Sequence, residues 1–299
     1  MVDILLLGAQ GQLGWEVARR APEAGLTVTA LARDGRDITD RAACFETVAR
    51  HEPRVVVNAT AYNKVDKAEE EPEAATAGNA DGPENLALAA HENGAALVHV
   101  STDYVFDGTA STPYREEDPV SPLGSYGRSK LDGERRVASA CPRHVILRTA
   151  WVHGVHGGNF VKTMLRLASE RDRLRVVDDQ RGSPTFAGDL AAAILAMVPR
   201  LAAAPEGDPA FGLFHCTGSG EVTWCGFARA IVERSAPVTG RSVPVDAITT
   251  AEFPTPAKRP AYSVLDCAKL AEVHGLEMPH WSDGLDRMLN EHLPERVKS

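Results

Sequence analysis

The chain has 299 residues, 43% of them hydrophobic and 24% charged, a balance typical of a globular protein with a sizeable core. Its formal net charge of −9 argues against nonspecific binding to nucleic acid or to an anionic membrane. The five cysteines are widely spaced without a C-x-x-C pair, which argues against a disulfide framework or a zinc site and predicts reduced thiols in a cytoplasmic protein.

The first half alternates short apolar segments with amphipathic ones. The apolar segments end at Gly, Asn, Thr or a nearby polar residue and predict buried strands over residues 3–8, 27–32, 54–60, 96–102 and 144–151. The amphipathic segments predict helices over residues 13–24, 39–51, 66–77, 83–93 and 125–140, and the acidic run 69–71 is expected to open a helix. This alternation predicts an α/β fold with a Rossmann-type doubly wound parallel sheet, in which ligands bind beyond the carboxyl ends of the strands.

After about residue 151 the alternation loosens. We expect a dinucleotide-binding domain over residues 1–150 and a smaller C-terminal α/β substrate-binding lobe over residues 151–299, from which some segments return to the first domain. In this half the sequence predicts helices over 161–172, 189–202 and 224–235, strands over 174–179 and 213–219, and an ordered proline-rich loop over 251–262. The apolar run 190–198 is too short to span a bilayer, and the N-terminus does not read as a signal peptide.

A glycine-rich segment follows the first predicted strand. Gly8, Gly11 and Gly14 have the spacing G-x-x-G-x-x-G, one residue looser than the usual dinucleotide fingerprint. Glycines permit a tight turn and let backbone N–H groups approach a pyrophosphate at the start of a helix. The strand before and the helix after favour dinucleotide binding over a plain glycine-containing turn.

The choice of cofactor is expected to depend on the end of the second strand. Arg33 follows Ala32 and can pair with a 2′-phosphate, which favours NADPH. Asp34 can instead bind a free 2′-hydroxyl, which leaves NADH as an alternative, and both residues can also be solvated loop charges.

Tyr126 and Lys130 lie four residues apart in a predicted helix, so both side chains can point at one ligand. A tyrosine has a pKa of about 10 in water, and a nearby cation is expected to lower it, which suits the phenol to proton exchange with the oxygen of a carbonyl being reduced. Thr102, at the end of the fourth predicted strand, would donate a second hydrogen bond to that oxygen, and a bound nicotinamide would supply hydride. An ordinary surface pair is the alternative.

With the glycine segment, these residues resemble the extended short-chain dehydrogenase/reductases and, within them, the dTDP-4-dehydrorhamnose reductase family. The similarity extends over nearly the whole chain and includes "GQLGWE", "VHVSTDYVFDG", "SPLGSYGRSKLDGE", "GNFVKTMLRLA" and "LRVVDDQRGSPT". It implies NAD(P)H-dependent reduction of the 4-keto group of a dTDP-sugar to dTDP-L-rhamnose, with Tyr126 as proton donor.

The resemblance also implies roles for individual residues. Catalysis would use Thr102, Tyr126 and Lys130. The cofactor would be bound by Gly8, Gln10, Gly11, Gln12, Leu13, Arg33, Asp37, Ile38, Ala59, Ala61, Tyr62, Asn63, Tyr126 and Lys130. The sugar nucleotide would be bound by Thr102, Asp103, Trp151, Asn159, Lys258 and Arg259.

Several properties stay open at this point. Some relatives hold Mg²⁺ at a dimer interface through two glutamates; Glu16 matches one, but the second falls near Gly188 and Asp189, so no metal site is predicted. The oligomeric state is monomer or homodimer. Other interpretations are a different nucleotide-sugar reductase or epimerase of the same superfamily, or a non-catalytic regulatory subunit of the kind that serves methionine adenosyltransferase.

Overall fold

The computed structural model describes residues 2–32 and 37–293. Its strands are β1 (Val2–Leu7), β2 (Val28–Leu31), β3 (Pro53–Asn58), β4 (Ala96–Thr102), β5 (His144–Thr149), β6 (Val152–His153), β7 (Leu174–Val177), β8 (Arg181–Gly182), β9 (Thr185–Phe186), β10 (Gly212–His215), β11 (Val222–Thr223) and β12 (Val245–Ile248). Its α-helices are α1 (Gln12–Arg20), α2 (Arg41–His51), α3 (Pro72–Thr76), α4 (Gly82–Glu92), α5 (Ser125–Ala140), α6 (Phe160–Glu170), α7 (Ala187–Ala203), α8 (Trp224–Thr239), α9 (Ala268–His274) and α10 (Trp281–His292).

The main sheet is parallel throughout and confirms the predicted Rossmann-type fold. In the described part of the chain it has six strands in the order β2-β1-β3-β4-β5-β10. The strand order reverses between β1 and β3, and in such sheets this switch point is where ligands bind.

Both faces of this sheet are covered by helices. Along β1, Ile4 and Leu6 join a core with α1 and α7, whereas Leu5 and Leu7 join a core with α2, α4 and α5. Alternate residues of a strand point to opposite faces, so a strand that is buried on both faces has no polar positions. This explains the uninterrupted apolar runs in the sequence.

The second half of the chain has a core of its own, formed largely by α6, α8 and α10 with β7 and β12. Two of its elements lie elsewhere: α7 packs on α1, and β10 pairs with β5 at the edge of the main sheet. The division at residue 150 stays a prediction. Among the described residues, no helix is both long and apolar enough to span a membrane.

The predicted break between the helices over 66–77 and 83–93 is wrong. The chain runs from α3 through a π-helical turn, Ala77–Asp81, directly into α4. Within this turn Asn79 is fully buried and bonds to groups outside the helix. Such π turns are frequent at functional sites.

Candidate active site at the carboxyl edge of the sheet

A cleft of about 660 Å³ lies at the switch point between β1 and β3. Its walls are the glycine segment after β1, the end of β2 and the segment after β3. Nine residues of the predicted cofactor set line it: Gly8, Gln10, Gly11, Asp37, Ile38, Ala59, Ala61, Tyr62 and Asn63. Arg33, which was to decide between NADPH and NADH, lies outside the described residues.

Two glycines of the segment are sterically required. Gly8 has φ +88°, and a Cβ there would lie 2.8 Å from the carbonyl oxygen of Ala59. A Cβ on Gly14 would lie only 2.1 Å from the carbonyl oxygen of Gly8. The backbone of this segment therefore packs against the segment after β3 and against α1 at distances that no side chain permits.

Helix α1 begins at Gln12, directly after the cleft-lining Gly11. The N–H groups of a first helical turn have no partner within the helix, so they are available to an anion at this end of the cleft. Leu13 is buried in the core by its side chain, which leaves its backbone as the part that can serve a ligand.

The second half of the chain contacts the glycine segment directly. Asn159 caps α6 and donates from Nδ2 to Gln12 Oε1 at 2.9 Å and to the carbonyl oxygen of Gly154 at 2.7 Å. His156 bonds from Nε2 to the carbonyl oxygen of Gln10 at 3.0 Å. Gln12 and Asn159, which were predicted for separate ligands, are thus partners, and the interface between the two halves lies beside the cleft.

Asn79 links the cleft to helix α5. Its Oδ1 accepts from Tyr62 N at 2.8 Å, and its Nδ2 donates to the Tyr62 carbonyl oxygen at 3.1 Å and to Ser129 Oγ at 3.0 Å. Ser129 in turn donates to the carbonyl oxygen of Tyr126. Asn79 was not predicted as a site residue, because it lies between the two predicted helices and its burial is visible only in the structure.

Thr102, Tyr126 and Lys130 converge where β4 ends and α5 begins. Thr102 is the last residue of β4, Tyr126 is in the first turn of α5, and the nearby Thr102 hydroxyl lowers the pKa of the Tyr126 phenol. Thr102 also donates to Asp103 Oδ1 at 3.0 Å. Neither Tyr126 nor Lys130 is among the residues that line the cleft at the switch point.

The predicted lowering of the Tyr126 pKa by Lys130 is wrong for this structure. The pKa of the phenol is raised to about 12, chiefly by burial and to a smaller extent by the charge of Asp103. The Lys130 ammonium donates to the carbonyl oxygen of Val100 at 2.5 Å. Burial lowers the pKa of Lys130 to about 8, against the attraction of Glu134.

Glu69 caps the helix that carries the tyrosine and the lysine. Its carboxylate accepts from Ser125 N at 2.6 Å and from Ser125 Oγ at 3.1 Å, at the first residue of α5. A carboxylate at a helix N-terminus is stabilised by the helix dipole. The acidic run therefore acts on a helix distant in sequence, in addition to preceding α3, and periodicity alone could not identify that partner.

Asp103 and Trp151 are two of the residues predicted to contact the sugar. Asp103 is buried, and burial raises its pKa to about 6. Trp151 has φ +49°, which is rare for a non-glycine residue, and stacks on Trp224 with ring centroids 3.4 Å apart. Its indole also lies against Gly182, where a Cβ would meet it at 2.5 Å. Unusual backbone held by close packing is typical of binding sites.

Lys258 and Arg259, the two cations predicted to bind the dTDP moiety, have different surroundings. Arg259 forms a bidentate ion pair with Asp66, with nitrogen–oxygen distances of 3.0 and 2.8 Å. Lys258 is exposed and lines a small pocket together with Tyr126 and Gly127. Lys258 is thus a cation of the pocket that Tyr126 also lines, whereas Arg259 already has a carboxylate partner.

Glu16, the counterpart of a metal ligand in some relatives, is buried. Its Oε2 bonds to Arg19 and Arg20, each at 2.8 Å. In residues 2–32 and 37–293, no group of three or more His, Cys, Asp and Glu side chains is arranged to hold a metal ion.

This fold, with a glycine-rich cleft and a Thr–Tyr–Lys set at the sheet edge, defines the short-chain dehydrogenase/reductase class. The family model described as "RmlD substrate binding domain" matches residues 2–293, and the chain belongs to this family.

Named relatives are similar over almost the entire chain. A dTDP-4-dehydrorhamnose reductase from Sinorhizobium fredii is 42% identical over 286 residues, which cover 96% of each chain. The crystal structure of a dTDP-4-dehydrorhamnose reductase from Clostridium acetobutylicum has a TM-score of 0.89 and 41% identity, covering 96% of this chain and 98% of that one. The enzyme from Bacillus anthracis, in complex with NADP, has a TM-score of 0.89 and 35% identity with the same coverage.

Proposed function

We propose that this protein catalyses the NADPH-dependent reduction of the 4-keto group of dTDP-4-dehydrorhamnose to dTDP-L-rhamnose. The observation that carries the proposal is the meeting of Thr102 and Tyr126 beside a glycine-lined cleft, in a chain that is 42% identical to a named reductase across 96% of both chains. We place the protein in the cytoplasm, where free cysteines such as its own stay reduced. The protein acts as a monomer or a homodimer.

The cleft fits a dinucleotide. The close backbone packing at Gly8 and Gly14 holds the turn against the segment after β3 and against α1, and the first turn of α1 offers N–H groups to a pyrophosphate. Asp37 and Ile38 would lie by the adenine, with Ala61 on the opposite wall. The bound nicotinamide would supply the hydride that reaches C4 of the sugar.

Tyr126 is the acid of the reaction. A phenol with a pKa of about 12 is protonated at neutral pH, so it holds the proton that the carbonyl oxygen needs when that oxygen becomes strongly basic. Thr102 donates a hydrogen bond to the same oxygen. Lys130, which donates to the Val100 carbonyl oxygen, would bond the nicotinamide ribose when the cofactor is present, and its charge would stabilise the phenolate that remains after proton transfer.

The sugar nucleotide is bound by both halves of the chain. Asp103 and Trp151 contact the deoxysugar, and Trp151 is held for this purpose by its stack on Trp224. Lys258 supplies the positive charge for the diphosphate beside Tyr126, and Arg259 fixes the Lys258 loop through Asp66. Asn159 contacts the dTDP moiety while it remains bonded to Gln12.

The test follows NADPH absorbance with the keto-sugar as substrate. Tyr126→Phe should lower kcat by about 100-fold or more while NADPH binding is retained, because only the proton donor is lost. Tyr114→Phe is the matched control, since Tyr114 is a buried tyrosine whose hydroxyl bonds to Asp107. Full turnover by Tyr126→Phe would overturn the mechanism, and isomerisation of the sugar without net NADPH oxidation would indicate an epimerase.

A further inference from the structure

A buried carboxylate lies beneath the proposed catalytic residues. Glu134, about two helical turns after Tyr126 on α5, accepts from Ser101 Oγ at 2.5 Å. The same carboxylate accepts two hydrogen bonds from Arg148, at 2.9 Å from Nε and 2.7 Å from Nη2. The Glu134 and Arg148 side chains are only 6% and 4% exposed.

These contacts join the three elements that carry or support the site. Ser101 immediately precedes Thr102 on β4, and Arg148 on β5 lies opposite Ser101 in the register of the sheet. Glu134 bonds both and shares a helix with Tyr126 and Lys130. The carboxylate therefore fixes the position of α5 relative to the end of β4. Because Tyr126 is on α5 and Thr102 ends β4, this position determines how far the phenol lies from the Thr102 hydroxyl.

Glu134 is also an anion whose charge acts on Lys130. Among the described residues, the charged or titratable groups that interact with Lys130 are Glu134 on its own helix and His99 on β4, while Arg148 on β5 is engaged by Glu134. Burial, with a further contribution from Lys130, holds the pKa of His99 well below its usual range, so His99 adds no charge at neutral pH. Glu134 supplies the attraction that opposes the desolvation of Lys130.

A buried ion pair contributes little net stability compared with apolar side chains of similar size, because desolvation opposes the attraction. This pair also leaves Arg148 Nη1 without a hydrogen-bond partner among the described residues. Stability of the fold alone therefore does not explain why the Glu134–Arg148 ion pair is buried at this position.

We propose that Glu134 is a positioning residue of the reaction, which sets the Thr102–Tyr126 geometry through Ser101 and keeps Lys130 in its charged form. This inference rests on the proposed function. It assigns Glu134 no contact with substrate or cofactor.

The first experiment measures kcat, KM and their pH profiles for Glu134→Gln. We expect kcat to fall about 10-fold or more with KM for the keto-sugar nearly unchanged, and the alkaline limb of kcat to move about one pH unit lower, because Lys130 loses its proton more readily without the carboxylate. Asp132→Asn is the matched control, since it neutralises a half-exposed carboxylate of the same helix that pairs with Arg136. The control should leave the profile unchanged.

Two further variants separate this role from simple destabilisation. Glu134→Gln combined with Arg148→Met avoids an unpaired buried guanidinium and should show the same shift of the alkaline limb. Ser101→Ala keeps the ion pair and should lower kcat without moving that limb. Native kcat and native pH profiles in these variants would overturn the proposal.

A binding measurement distinguishes failure of this inference from failure of the proposed function. If the native protein does not turn over the keto-sugar, the proposed function fails. The pH dependence of NADPH affinity, followed by nucleotide fluorescence, still reports the charge of Lys130. Glu134→Gln should shift that dependence to lower pH, and an unshifted dependence would overturn the role of Glu134.

Discussion

Replacing Asn79 with alanine tests the link between the cofactor cleft and helix α5. The change removes three hydrogen bonds, two to the backbone of Tyr62 and one to Ser129 Oγ. Each is worth about 1 kcal/mol net, and the Tyr62 N–H loses its partner in a partly buried position, so the free energy of unfolding should fall by about 2–4 kcal/mol. Because Tyr62 lines the cleft, NADPH should also bind about 10-fold more weakly.

Urea denaturation and a fluorescence titration with NADPH measure the two effects. Asn93→Ala is the control: it removes one side-chain hydrogen bond, 2.8 Å to the carbonyl oxygen of Ala89, at the far end of α4. It should cost about 1 kcal/mol and leave the NADPH affinity unchanged. A native unfolding free energy together with native NADPH affinity in Asn79→Ala would refute the reasoning.

Two other predictions concern the glycine segment and the buried aspartate. Gly14→Ala places a Cβ 2.1 Å from a backbone carbonyl oxygen, so NADPH affinity should fall at least about 10-fold. Gly158→Ala is the control, since its Cβ meets nothing within 4 Å, and it should bind NADPH normally. Equal affinities of the two variants in a titration would contradict this prediction. The folded-state pKa of Asp103, about 6, exceeds its unfolded value, so the folded state binds the additional proton and stability should fall as pH rises from about 4 to about 7. Over that range the native protein should lose up to about 3 kcal/mol more than Asp103→Asn in the free energy of unfolding, and parallel curves would show that Asp103 does not titrate in this way.

The strands of the first half could be predicted because residues such as Ile4 and Leu5 are buried on opposite faces and leave an unmistakable apolar run. The cleft could be located for a related reason, since ligands of such sheets bind at the strand ends where Gly8 and Ala59 stand. Local pattern and fold rules suffice for this part of the molecule.

Contacts between distant segments could not be predicted. The bonds from Glu69 to Ser125 and from Arg259 to Asp66 depend on how loops fold back, which hydrophobic periodicity does not encode. The raised pKa of Tyr126 was missed because the spacing to Lys130 says nothing of burial or of the competing carbonyl of Val100. The α3–α4 break was predicted because the two amphipathic segments are separated by residues 78–82, most of which the structure accommodates in a π turn.

The return of α7 and β10 to the main sheet has a consequence for biosynthesis. A chain emerging from the ribosome completes β5 long before β10, so β5 is a temporary edge strand with unpaired backbone groups. The sheet face that Leu190 and Ile194 later cover is also open to solvent during this interval. The nascent first half is therefore expected to expose apolar surface and an unpaired strand edge until α7 and β10 have been synthesised.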